Sequence, residues 1–159
     1  MNVDVHDEAG SDGVGTEIEV GHLARLSRYV MNQMRLHPAT EMCLRLVDEA
    51  TIATLNEQWM GHEGPTDVLS FPLDELRPGD GEAADAGYLG DIALCVAYAA
   101  RQAPDNGNST LAEVELLTVH GILHLLGYDH AEPEEHEEMF GLQAELLRAW
   151  RTASPEAAP

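Results

Sequence analysis

Lysine is absent from this chain. All eight basic residues are arginine, set against 29 acids, for a net charge of −21. A protein this acidic repels polyanions at long range, which counts against general nucleic-acid binding. Long apolar runs are missing too. The longest, "IALCVAYAA", is about half of the roughly 20 residues needed to span a bilayer. The N-terminus, "MNVDVHDEAG", has neither the basic start nor the apolar stretch of a secretory signal. The expectation is a soluble, cytoplasmic protein with no membrane partner. No C-x-x-C occurs. Cys43 and Cys95 lie in apolar, strand-like runs, so two buried thiols are expected rather than a disulfide or a ligand pair.

What is present is enough for one domain. A chain of 159 residues, 44% hydrophobic, can bury one sizeable core. Four segments read as strands: 2–6, 42–48, 66–72 and 88–96. Helical patterns cover 17–36, 49–60, a stretch starting near Ala97, 110–126 and 132–150. Gly127 suits the residue just beyond a helix end, and Ser109 or Thr110 suits an N-cap. An acidic, Gly-rich loop spans 74–87. Strands and helices alternate irregularly, which predicts an α/β (α+β) fold with a small mixed four-stranded sheet packed by helices. One domain over 1–151 and a disordered tail over 152–159 are expected. In the first helix, Leu23, Leu26, Val30 and Met34 share one face, and Arg25, Arg28 and Arg35 share the opposite one. That arginine stripe reads either as a solvated face or as a surface for phosphates.

The chemistry concentrates in "HGILHLLGYDH", residues 120–130. His120 and His124 are four apart on an apolar helix, so both project from one face and can reach one ion. Gly127 lets the chain turn, and His130 can return from beyond the helix. Zn²⁺ accepts imidazole nitrogen at about 2.0–2.1 Å in tetrahedral geometry, and three protein ligands leave one position open. An i,i+4 pair alone is a weak signal among eight histidines, but the third histidine and the helix-ending glycine strengthen it. Metalloproteases with H-E-x-x-H carry a glutamate beside the first ligand as general base. Here that position is Gly121.

"HGILHLLGYDH", together with "TDVLSFP" and "LGDIALC", resembles the YbeY family of bacterial rRNA maturation factors, single-strand-specific, metal-dependent endoribonucleases. The resemblance runs from the first strand to about Trp150. It implies that His120, His124 and His130 bind one zinc per chain at one end of a cleft. It implies single-stranded rRNA as substrate, a role in maturing the 3′ end of small-subunit rRNA and in ribosome quality control, and the small subunit or its proteins as partners. Many members carry an arginine shortly before the T-D-V-L-S-F-P motif. This chain has Met60 there, so a phosphate contact is missing unless Arg101 or a partner supplies it.

The catalytic residues stay open. Asp129 reads equally as an acceptor for a ligand imidazole and as a helix-exit turn residue. For Asp67 and Asp91 structural roles are favoured. Either water or the ribose 2′-OH can attack phosphorus. Two rival functions remain, a zinc metallopeptidase and a non-catalytic ribosome-associated factor with a structural zinc.

Overall fold

The computed structural model describes residues 1–9, 18–74, 76 and 86–153. Four strands form one sheet: β1 (Asn2–Asp7), β2 (Glu41–Leu46), β3 (Val68–Pro72) and β4 (Tyr88–Leu94). The order is β1-β2-β4-β3. β1 and β4 run parallel to β2, and β3 runs antiparallel to β4. The fold is therefore the expected mixed α+β one.

Five α-helices lie among the described residues: α1 (Val20–Gln33), α2 (Glu49–Leu55), α3 (Val96–Gln102), α4 (Thr110–Leu125) and α5 (Pro133–Ala153). Period-two alternation sorts the sheet's side chains onto two faces. Met42, Leu44, Ile92 and Leu94 join the main core with Leu23, Leu26 and Val30 of α1 and Leu123 of α4. Leu69, Ala93 and Cys95 join Val47 and Ile52 in a smaller cluster. Cys95 is buried and Cys43 half-buried, with no disulfide between them.

Several boundaries differ from those expected, each for a visible reason. The first helix stops at Gln33 rather than at 36. The Arg35 N–H reaches the Asn32 carbonyl at 3.0 Å and the Leu36 N–H the Met31 carbonyl at 3.2 Å, closing a Schellman turn with Arg35 at φ 57°. The helix expected over 49–60 gives way after Leu55 to a π-helical turn, Asn56–Met60. The buried Asn56 donates there to the Gly64 carbonyl at 3.0 Å. "PDNGNST" is not wholly a loop, since Ala103–Asn106 forms a 3₁₀ turn. The expected acidic loop over 74–87 lies mostly outside the described residues. Thr152 and Ala153, expected in the tail, are helical instead, because α5 continues through Ala153. Thr152 Oγ1 donates to the Arg148 carbonyl at 2.9 Å, and Arg151 reaches Glu115 at 3.1 Å. Residues 154–159 lie outside the described residues.

Two features hold α4 and α5 in place. His22 of α1 bonds the buried Glu115 of α4 at 2.9 Å, and Arg151 of α5 pairs with the same carboxylate. Met139, Leu146, Leu147 and Trp150 bury the inner stripe of α5. Among the described residues no helix is long and apolar enough to cross a membrane.

Candidate functional site

Helix α4 is built to present its histidines accurately. Ser109 caps its N-terminus by accepting from the Ala112 N–H at 3.1 Å. At the far end the Gly127 N–H bonds the His124 carbonyl and the Tyr128 N–H the Leu123 carbonyl, both at 3.0 Å. This is a Schellman motif with Gly127 at φ 97°, the conformation the sequence called for. The chain then doubles back. His130 arrives against the helix, its ring 5.3 Å from that of His124 and 5.6 Å from that of His120. One nitrogen from each of the three rings lies within 4.8 Å of the others, an arrangement that could hold a metal ion.

The hydrogen bonds around the rings fit a cation. His120 Nε2 and His124 Nε2 face each other at 3.0 Å. On the outer edge, His120 Nδ1 donates to Gln143 Oε1 at 2.9 Å. Two imidazole nitrogens can face each other with a proton between them, or with a cation that both ligate. Tetrahedral zinc separates such nitrogens by about 3.4 Å, so a slight spreading of the rings admits the ion. Burial pushes His120 below the usual histidine range, against the opposing effect of the Gln143 bond. Burial also lowers His124, reinforced by its His120 and His130 neighbours, while the Tyr128 backbone and Asp129 oppose. Both shifts favour the neutral imidazole, the form that ligates metals.

The three histidines line a cleft of about 710 Å³. Phe140, 38% exposed, forms part of its wall, with ring centroids 5.6 Å from His120 and 5.9 Å from His130. His136 stacks on it at 4.3 Å. A polar wall completes the cleft. The buried Glu113 carboxylate accepts from Gln102 Nε2 at 2.9 Å, Asn106 Nδ2 at 3.0 Å and Asn108 Nδ2 at 2.9 Å. Gln102 Nε2 also donates to Asp67 Oδ2 at 2.9 Å. This network braces α3, α4 and the approach to β3.

The residues singled out in the sequence separate cleanly. Met60 lines the cleft, as does Asp67. Asp67 caps the start of β3, accepting from the Val68 N–H at 2.7 Å. Asp91 faces elsewhere and accepts from the Tyr88 hydroxyl at 2.8 Å; burial, reinforced by this bond, raises the tyrosine's pKa. Asp129 accepts from the His130 N–H at 2.7 Å, the turn role of its two readings. Arg101 pairs with Glu49 and lies over Tyr98, away from the cleft. Arg25, Arg28 and Arg35 are exposed, and none of them lines the cleft.

Gln143, Phe140 and the Glu113 network escaped sequence reasoning. Gln143 did leave a signal, since it interrupts the apolar stripe Met139–Leu146–Leu147–Trp150 at a core position. The pairing of Glu113 with residues 102, 106 and 108 left none, because it depends on how the 3₁₀ turn folds over the helix start.

Comparison with known proteins agrees with this geometry. The family model described as Endoribonuclease YbeY matches residues 13–151. A protein named Endoribonuclease YbeY from a Nocardioides species is 60% identical over 152 residues, covering 95% of this chain and 99% of its own. One of the same name from Thermobifida fusca is 52% identical, covering 98% of each chain. The solution structure of a Thermotoga maritima protein superposes with a TM-score of 0.57 at 26% identity, covering 97% of this chain and 95% of that one. The chain belongs to the YbeY endoribonuclease family.

Proposed function

We propose that the protein is a zinc-dependent endoribonuclease that cuts single-stranded RNA. It acts in maturation of the 3′ end of small-subunit rRNA and in ribosome quality control. The observation that carries this reading is the convergence of His120, His124 and His130 on one cleft, in a chain of an endoribonuclease family. One zinc per chain held by three imidazoles keeps a position open, the pattern of a catalytic rather than a structural site. When bound there, zinc supplies Lewis acidity, drawing charge from a phosphoryl oxygen and acidifying water.

The protein's own residues bind and orient the strand. Phe140 offers a ring beside the histidines on which an unpaired base can stack. Such stacking is worth about 1–3 kcal/mol per base and is closed to a base held in a duplex. Among the described residues no arginine lines the cleft. Affinity for RNA therefore rests on stacking and the metal more than on phosphate contacts. A chain of net charge −21 gains further from basic ribosomal proteins that place it on the small subunit.

The peptidase reading loses support at Gly121. A Cβ there would lie 3.0 Å from Ile92 Cδ1 and 3.3 Å from Ser70 Oγ. The site of the H-E-x-x-H glutamate is thus filled by packing against the sheet. The test is a panel of labelled single-stranded RNA, duplex RNA and casein, with and without chelator. Chelator-sensitive cleavage of single-stranded RNA alone is expected. Chelator-sensitive casein hydrolysis that disappears in His120→Ala would establish the peptidase instead.

A further inference from the structure

We propose that Gln143 is the positioning residue of the histidine site. Its side-chain carbonyl fixes His120 as the Nδ1–H tautomer and so turns a bare Nε2 toward the point the three rings share. The inference deepens the zinc-nuclease reading and depends on it only for the effect on metal affinity.

An amide oxygen accepts hydrogen bonds and cannot donate them. With Gln143 Oε1 at 2.9 Å from His120 Nδ1, the ring's one hydrogen sits on Nδ1 and its lone pair on Nε2. That Nε2 is the atom 3.0 Å from His124 Nε2. The opposite tautomer would place two lone pairs against each other at Gln143 and a hydrogen where a metal needs an electron pair. Gln143 is well placed to enforce the choice. It is 3% exposed and is carried on a helix anchored to α4 by the Glu115–Arg151 pair and by the buried Met139, Leu146 and Trp150. A buried amide among those apolar neighbours costs free energy unless it is bonded, so its retention points to a task.

The choice of a neutral partner has chemical consequences. Outer partners of ligand histidines are commonly carboxylates, carbonyls or water, and their removal typically costs 10–100-fold in metal affinity or activity. A carboxylate makes the imidazole a stronger electron donor and blunts the metal's Lewis acidity. Helix α5 carries glutamates at 134, 135, 137, 138 and 145, yet an amide stands at 143. The neutral oxygen orients the ring without adding negative charge beside a centre that must attract a phosphodiester.

The experiment uses ¹⁵N-histidine-labelled protein and two variants, Gln143→Met and Gln143→Glu. Long-range ¹H–¹⁵N correlation of the metal-free parent should show His120 protonated on Nδ1, and Gln143→Met should shift it toward Nε2. In competition with a chromophoric zinc chelator, Gln143→Met should bind zinc about 10–100-fold more weakly, while Gln143→Glu should match or exceed the parent. Thermal unfolding of the metal-free variants, close to the parent's, separates positioning from folding. The proposal is overturned if the parent's His120 carries its hydrogen on Nε2. It is also overturned if Gln143→Met keeps the Nδ1–H form, or binds zinc within twofold of the parent. Should the parent bind no zinc, the zinc reading fails, and the tautomer measurement still decides the role of Gln143. Should Gln143→Met not fold, the parent spectrum and Gln143→Glu decide it.

Discussion

Ser70 Oγ donates a 3.0 Å hydrogen bond to the Gly121 carbonyl, tying β3 to α4 at the residue after His120. The contact is possible because Gly121 has no side chain, leaving the helix backbone against Ile92 and Ser70. A larger residue must displace the fully buried Ile92. Overpacking of this kind costs about 1–3 kcal/mol, and a carboxylate left there unpaired adds to it. Gly121→Glu is therefore expected to lower unfolding free energy by about 2 kcal/mol or more, read from the urea midpoint, and to create no peptidase.

Met60 lines the cleft and Arg101 does not, which leaves position 60 without a cationic substitute among the described lining residues. A guanidinium can make charge-assisted, bidentate contacts with phosphate that a thioether cannot. Met60→Arg, matched to the parent in zinc content, should cut or bind single-stranded RNA about ten- to a hundredfold better. Its salt dependence should steepen by about 0.7 for the added phosphate contact. An unchanged rate and slope would place the scissile phosphate away from this turn.

Arg35 holds φ 57° as the residue that ends α1. The left-handed region costs an L residue about 1–2 kcal/mol, and glycine adopts it freely. Arg35→Gly should raise stability by about 0.5–1 kcal/mol in chemical denaturation, after the entropic cost of glycine. A loss of stability would mean that the arginine side chain makes a compensating contact.

The buried histidines also set a pH dependence. His120 and His124 have folded-state pKa values below the ordinary 6.5, chiefly through burial. Between the folded value and 6.5 the unfolded chain binds more protons, so stability rises with pH. Metal-free protein should thus lose stability as pH falls below about 6.5, before the carboxylates titrate. Replacing both histidines with glutamine should flatten that window in pH-dependent unfolding, and an unaltered profile would refute the assignment.

How far the sequence could be read follows from the range of each interaction. The three histidines and Gly127 were legible because helix periodicity and a Schellman turn are local, set within eleven residues. β1 and β2 were legible from their period-two alternation, and β3 from β-prone residues stopped by Pro72. Helix ends were less so. Arg35 closes α1 in a conformation that glycine normally marks, and the π-turn at Asn56–Met60 rests on a contact from Asn56 to Gly64. Gln143 meets His120 across 23 residues, and Gln102 meets Asp67 across 35. Such pairings are decided by how helices pack.

The most direct test of the central claim is a zinc titration of cleavage. Rigorously ribonuclease-free protein is stripped of metal, and its rate on labelled single-stranded RNA is followed as zinc is returned, for the parent and for His124→Ala. The account predicts that the parent is inactive when stripped and recovers to a plateau at about one equivalent of zinc. It predicts that the folded His124→Ala variant neither retains zinc nor cleaves. Cleavage that survives metal removal, or a His124→Ala variant with full zinc occupancy and the parent's rate, would contradict it.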